Sequence, residues 1–203
     1  MTTSQISFRV KPKIWQDFTD EANALFINRG PFLAHMLSVE LPHLQEELMG
    51  LKLSLRAKRH ISGALKKVVP LSPNVNIEVP TETADLLRTL VKEHNLVRDA
   101  FFYRLLVLLR GSDALLKYLE IPRYATDRGL NAFLEDMPSS PLKAMAAVRD
   151  NPLFYMRHHV EHVHGCGLYR VGLPFAEMHC YIEDEHVKGT RAHKRLAKLF
   201  ELL

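Results

Sequence analysis

Residues 5–10, QISFRV, alternate apolar and polar side chains, and the residues that follow carry apolar groups at spacings of three and four. Alternation with a period of two predicts a half-buried strand, and the longer spacing predicts an amphipathic helix. Ile14, Trp15, Phe18, Ala22 and Leu25 form the helical stripe over 12–26, with Pro12 at a tolerated early position. Asn28, Arg29 and Gly30 interrupt it, and a second helix through Phe32, Leu33, Met36 and Leu37 is expected to end before Pro42. A strand this short needs a partner for its backbone groups and its apolar edge.

The partner emerges from an internal repeat. Displaced by 69 positions without a gap, Ile6, Phe8 and Val10 fall on Val75, Ile77 and Val79, an equally short alternating strand. Phe18 then falls on Leu87, Ala22 on Val91, Ile27 on Leu96, Arg29 on Arg98, Phe32 on Phe101, Met36 on Leu105 and Leu37 on Leu106. In the second copy Thr81 is read as the cap of a helix through Leu86, Leu87, Leu90 and Val91. Asn95 marks the break, and a helix over 98–110 stops at Gly111. Two strands, each followed by the same helix pair, are expected to pair antiparallel about a pseudo-twofold axis.

These residues resemble the ribbon-helix-helix DNA-binding family, of which Arc and MetJ are examples. The resemblance covers residues 5–42 and 74–111 and rests on pattern. Most members are homodimers giving one strand each, whereas this chain looks like a tandem, single-chain version with a first helix about three residues longer, close to one turn. The implied fold class is mainly α with a two-stranded antiparallel ribbon: a pseudo-dimeric tandem ribbon-helix-helix domain over 1–111, then an α+β region over 112–203.

Burial of Ile6, Phe8, Val10, Val75, Ile77 and Val79 turns Gln5, Ser7, Arg9, Asn74, Asn76 and Glu78 outward. A two-stranded ribbon fits the major groove, where Arg pairs with guanine, Asn or Gln with adenine, and Glu accepts from cytosine. The six are therefore candidate base readers, although outward residues of any exposed ribbon are polar. Their unlike chemistry predicts at most a pseudo-palindromic site. Phosphate anchoring is assigned by the resemblance to the start of each second helix: Asn28, Arg29 and Gly30, and their equivalents Val97, Arg98 and Asp99, with Lys11 beside them. The first set suits the task better, because Val97 cannot cap and Asp99 repels phosphate. Arg98 reads equally as a surface ion-pair partner.

Charge sharpens the picture. The net charge is +4, and Lys+Arg against Asp+Glu runs ten to six over residues 1–70, five to five over 71–111 and twelve to twelve over 112–203. The excess lies in the first third, where residues 51–67 hold six basic side chains and no acidic one. With Leu55, Ile61, Leu65 and Val68 among them, 53–69 reads as an amphipathic connecting helix closed by Pro70 and Pro73. Its basic face is either simply solvated or turned toward an anionic polymer.

Beyond Gly111 the pattern weakens. A short helix capped by Ser112, a loop over 122–141 with a brief apolar stretch at 131–134, a helix at SPLKAMAAVRD, two strands at GLYRVGL and MHCYIEDE, and a final amphipathic helix from Thr190 are expected. His158, His159, His162, His164, Cys166, His179, Cys180 and His186 cluster here, but without a C-x-x-C pair or known metal spacing they read as ordinary surface and core residues. No phosphate loop, nucleophile elbow or carboxylate pair occurs, so no enzyme, metal or cofactor is expected. The longest apolar run, at 101–109, is broken by Arg104 and too short to cross a bilayer, and two cysteines suit a reducing compartment. The expectation is a cytoplasmic, sequence-specific binder of double-stranded DNA, a transcriptional regulator, with residues 112–203 serving self-association or a partner protein. The alternative is an antitoxin-like or relaxosome-accessory protein whose C-terminal region binds that partner.

Overall fold

The computed structural model describes residues 2–69, 74–123, 131, 134–135 and 137–200. Strand β1 (Thr3–Phe8) leads into helices α1 (Pro12–Ala24), α2 (Arg29–Glu47) and α3 (Leu55–Val68). Strand β2 (Val75–Pro80) leads into α4 (Thr81–Glu93), α5 (Arg98–Arg110) and the short α6 (Asp113–Tyr118). Helices α7 (Pro141–Asp150), α8 (Phe154–His164) and α9 (Arg191–Phe200) follow. The chain is mainly helical, with one two-stranded antiparallel sheet, β1 against β2. None of the described helices is long and apolar enough to cross a membrane.

The strand register runs Thr3 opposite Pro80, through Ile6 opposite Ile77, to Ser7 opposite Asn76 and Phe8 opposite Val75. Ser7 and Asn76 are themselves 69 positions apart, as are the first residues of α1 and α4 and of α2 and α5. The turns between the helices match as well. Phe26 and Asn95, again 69 apart, both hold φ of 56°. Behind each, an N–H reaches back five residues: Ile27 donates to the Ala22 carbonyl at 2.8 Å and Leu96 to that of Val91 at 3.0 Å.

The alternating strands bury one face. Ile6, Phe8, Val10, Val75, Ile77 and Val79 are all buried, and Phe8 stacks on Phe102 of α5 with ring centroids 3.9 Å apart. Helix α2 departs from expectation, since it runs through Pro42 to Glu47. Leu41, Leu44 and Leu48 continue its apolar stripe with no exposed surface. Their burial offsets the one backbone hydrogen bond that proline cannot make. Thr81 is not a cap either. It is the first residue of α4, and its hydroxyl donates to the Thr2 carbonyl at 3.0 Å, tying the helix to β1.

The C-terminal region is built differently from the expected α+β arrangement. Where two strands were expected, the described residues of 165–190 form turns and two short 3-10 helices, Ala176–Met178 and Asp184–His186. The reason lies in Arg104. Fully buried on α5, it donates through Nε to the Leu168 carbonyl and through Nη2 to the Val171 carbonyl, both at 2.7 Å, taking acceptors that a neighbouring strand would have used. Ser112 caps α6 as expected, and the Thr190 hydroxyl accepts from the His193 N–H at the start of α9. Half of the expected loop over 122–141 lies outside the described residues, as do Pro70 and Pro73.

A buried ionic group locks this region to α2. Arg157 of α8 donates to Glu40 Oε2 at 2.5 Å and to Glu47 Oε1 at 3.3 Å. The Tyr169 hydroxyl donates to Glu40 Oε2 at 2.8 Å, and its backbone N–H to Glu47 Oε2 at 2.7 Å. Burial, and then the Glu40 charge, hold the Tyr169 phenol well above its usual range, so it remains a donor. One continuous core thus runs from the ribbon to Val187, and both second helices, α2 and α5, are held from behind.

Candidate nucleic-acid interface

The ribbon's outer face carries three cross-strand rungs. Gln5 lies opposite Glu78, Ser7 donates through Oγ to Asn76 Oδ1 at 2.6 Å, and Arg9 donates through Nε to Asn74 Oδ1 at 2.7 Å. All are exposed except Ser7, which is half-buried between its neighbours. The rungs grade in charge, from a cationic end at Arg9 to an anionic end at Glu78. Arg9 and Asn74 retain free donors beyond their mutual bond, since a guanidinium carries five N–H groups and an amide two. A flat strip of amide, hydroxyl and guanidinium groups with its apolar side anchored in the core is chemically suited to hydrogen-bonding base edges.

The helix starts differ from one another. Asn28 precedes α2 in an extended conformation and makes no side-chain cap. Arg29 turns back onto α1, its guanidinium 5.4 Å from the Trp15 ring centroid and donating to Thr19 Oγ1 at 3.2 Å. This stacking holds the charge close to the helix start. A side chain at Gly30 would just touch Asn28 Oδ1. Lys11 sits exposed before α1, where its carbonyl accepts from the Ile14 and Trp15 N–H groups.

At the second start, Val97 precedes α5 without a cap, and Arg98 reaches Asp99 at 3.4 Å on the surface. Here the fold adds residues from elsewhere. Helix α3 buries Ala57, Ile61 and Leu65 and lies alongside the start of α5. Between them opens a cleft of about 610 Å³, lined by Arg9 from the ribbon, Lys58, Ser62 and Lys66 from α3, and Arg98 and Asp99 from α5. Lys58 donates to Asn95 Oδ1 at 2.8 Å, so the left-handed turn residue also orients the cation. The sequence reading left Lys58, Ser62 and Lys66 out of the site, although the acid-free basic run over 51–67 was the available signal.

Several of the clustered histidines and one of the cysteines have defined surroundings. His159 and His164 contact the carbonyls of Glu120 and Leu119, and His158 stacks on Phe154. The Leu173 N–H donates to His179 Nε2 at 3.2 Å. Burial pushes the Cys180 thiol up to about 11, against the pull of Arg104. Among the described residues, no group of three or more His, Cys, Asp or Glu side chains converges as a metal would require. No protein family, curated protein or solved structure matches the chain.

Proposed function

We propose that residues 1–111 form a tandem, single-chain ribbon-helix-helix unit, and that the protein is a sequence-specific binder of double-stranded DNA, acting as a transcriptional regulator. The observation that carries this reading is the register. The 69-residue displacement relating the two helix pairs also relates Ser7 to Asn76, which face each other as the middle of the three outward rungs. A twofold operation applied to an antiparallel pair leaves the residues on its axis facing each other, and this coincidence of pairing and repeat is what a shared pseudo-twofold axis requires. Matching left-handed residues at Phe26 and Asn95 support the same relation.

On this reading the β1–β2 ribbon lies in the major groove. Arg9, Asn74, Asn76 and Gln5 supply donors to base edges, and Ser7 and Glu78 complete the strip. The unlike rungs favour an asymmetric or pseudo-palindromic site. The residues around Arg157, Leu168 and Tyr169 act as a brace that holds α2 and α5 in place through Glu40, Glu47 and Arg104.

The test is selection of preferred duplexes from a random pool by the full chain, followed by fluorescence anisotropy on the enriched sequence. Wild type is expected to enrich one motif, and Arg9→Ala with Asn76→Ala is expected to lose that preference while keeping salt-sensitive, sequence-independent binding. No binding at low salt, or binding with no enriched motif, overturns the reading.

A further inference from the structure

We infer that the connecting helix α3 belongs to the DNA interface and that the cleft between α3 and α5 holds a backbone phosphate diester. The inference rests on the DNA-binding reading above and extends it to residues outside the two repeats. It also reverses the expectation that the first repeat grips DNA more tightly.

The cleft gathers four cationic side chains, Arg9, Lys58, Lys66 and Arg98, against a single carboxylate, Asp99. Arg98 already reaches Asp99, which leaves Arg9, Lys58 and Lys66 as the uncompensated charge. Each known bond in the cleft uses only part of its donor's capacity. Arg9 gives Nε to Asn74 and Lys58 gives one N–H to Asn95, leaving further N–H groups on both side chains. Ser62 adds a hydroxyl, and the uncapped first turn of α5 adds backbone N–H groups. A volume of about 610 Å³ accommodates a diester and its sugar.

Position argues for DNA rather than a small anion. Arg9 is at once a rung of the ribbon and a wall of the cleft, so a duplex whose bases meet the ribbon brings its backbone to this cleft. The position equivalent to Arg9 in the other repeat is held by Glu78. The grip is therefore lopsided, with the stronger phosphate contact on the side of α5.

The experiment measures anisotropy of a fluorescein-labelled mixed-sequence duplex over a salt series with the full chain. Lys58→Gln with Lys66→Gln is expected to weaken binding about tenfold and to lower the slope of log affinity against log salt by about two. Lys66→Gln alone changes only an exposed residue, so its fold is not at risk, and it is expected to lower the slope by about one. Lys58→Arg with Lys66→Arg keeps the charge and is expected to keep the slope. Arg59→Gln with Lys67→Gln removes two charges from the same helix outside the cleft and is expected to leave a nearly unchanged slope.

Wild type that binds with a slope unaffected by the cleft glutamines overturns this inference while the DNA reading stands. An equal fall in the Arg59 and Lys67 variant overturns it too, because net charge would then be the cause. Inorganic phosphate that competes at concentrations too low to act through ionic strength would assign the cleft to a free anion and overturn it. Failure of wild type to bind at all overturns the DNA reading itself.

Discussion

Gly167→Ala is expected to destabilise the fold by about 3–5 kcal/mol, although it adds a single methyl group. Gly167 is buried, and a β-carbon there would overlap the Glu47 carboxyl group. That carboxyl cannot move aside freely, because Oε2 accepts from the Tyr169 N–H at 2.7 Å and Oε1 from Arg157 at 3.3 Å. The Glu47 side chain is about 10% exposed, so little water is available to replace those partners. Displacing it costs two hydrogen bonds to a charged acceptor, each about 1.5–3 kcal/mol, and loosens Arg157, which also serves the buried Glu40. Urea unfolding measures the effect, with Gly172→Ala as the control. A β-carbon at Gly172 meets nothing within 4 Å, and the change should stay within about 0.5 kcal/mol of wild type. The same Gly167→Ala change in a Glu47→Ala background should cost far less, since the obstacle is gone. An unchanged midpoint for Gly167→Ala, or an undiminished cost beside Glu47→Ala, would refute the reasoning.

Phe26→Asn should raise stability by about 1 kcal/mol, because Phe26 holds a left-handed φ of 56° while 98% exposed, and asparagine, already present at position 95, tolerates that backbone better. A lower melting temperature in the variant would mean that the ring makes a contact worth more than the strain. Stability should also fall on acidification through His179. Burial, and then the nearby Arg104 charge, depress its ring to about 4, below the ordinary value of about 6.5. The unfolded chain thus binds more protons between those values, and stability is full above about pH 6.5 and declines as pH falls toward 4. The maximum loss is about 3 kcal/mol. Glu47, raised chiefly by burial, acts with the opposite sign, so the clean measurement is the difference between wild type and His179→Gln in unfolding free energy from pH 4 to 7. Parallel curves would dismiss the assignment.

Local pattern reached far in the first half of the chain. A period of two at Ile6, Phe8 and Val10, a period near 3.6 at Phe18, Ala22 and Leu25, and their recurrence 69 positions later are properties of neighbouring residues. Strand, helix and helix could be read from them directly, and so could the inward and outward faces of the ribbon. The connecting helix was legible for the same reason, its observed span of Leu55–Val68 lying inside the expected 53–69.

The misreadings share one cause. Pro42 is a helix breaker by local rules, yet the buried leucines on both sides carry α2 past it. The residues around Leu168 and Val171 look strand-like, yet a guanidinium 64 to 67 positions earlier takes their carbonyls. Arg104 itself was read as an interruption of an apolar run, whereas it is fully buried and sets the path of the C-terminal region.

By itself, then, the sequence determined the strands and helix starts of residues 1–111, their repetition and the chemistry of the ribbon's outer face, because each of these depends on side-chain periodicity within one segment. Tertiary structure alone decided that α3 lies against the start of α5, that Arg9, Lys58 and Lys66 share a cleft, and that Glu40, Glu47, Arg157 and Tyr169 close one buried network. Those pairings join residues far apart in the chain. Their energy depends on burial and on partners that no local pattern encodes.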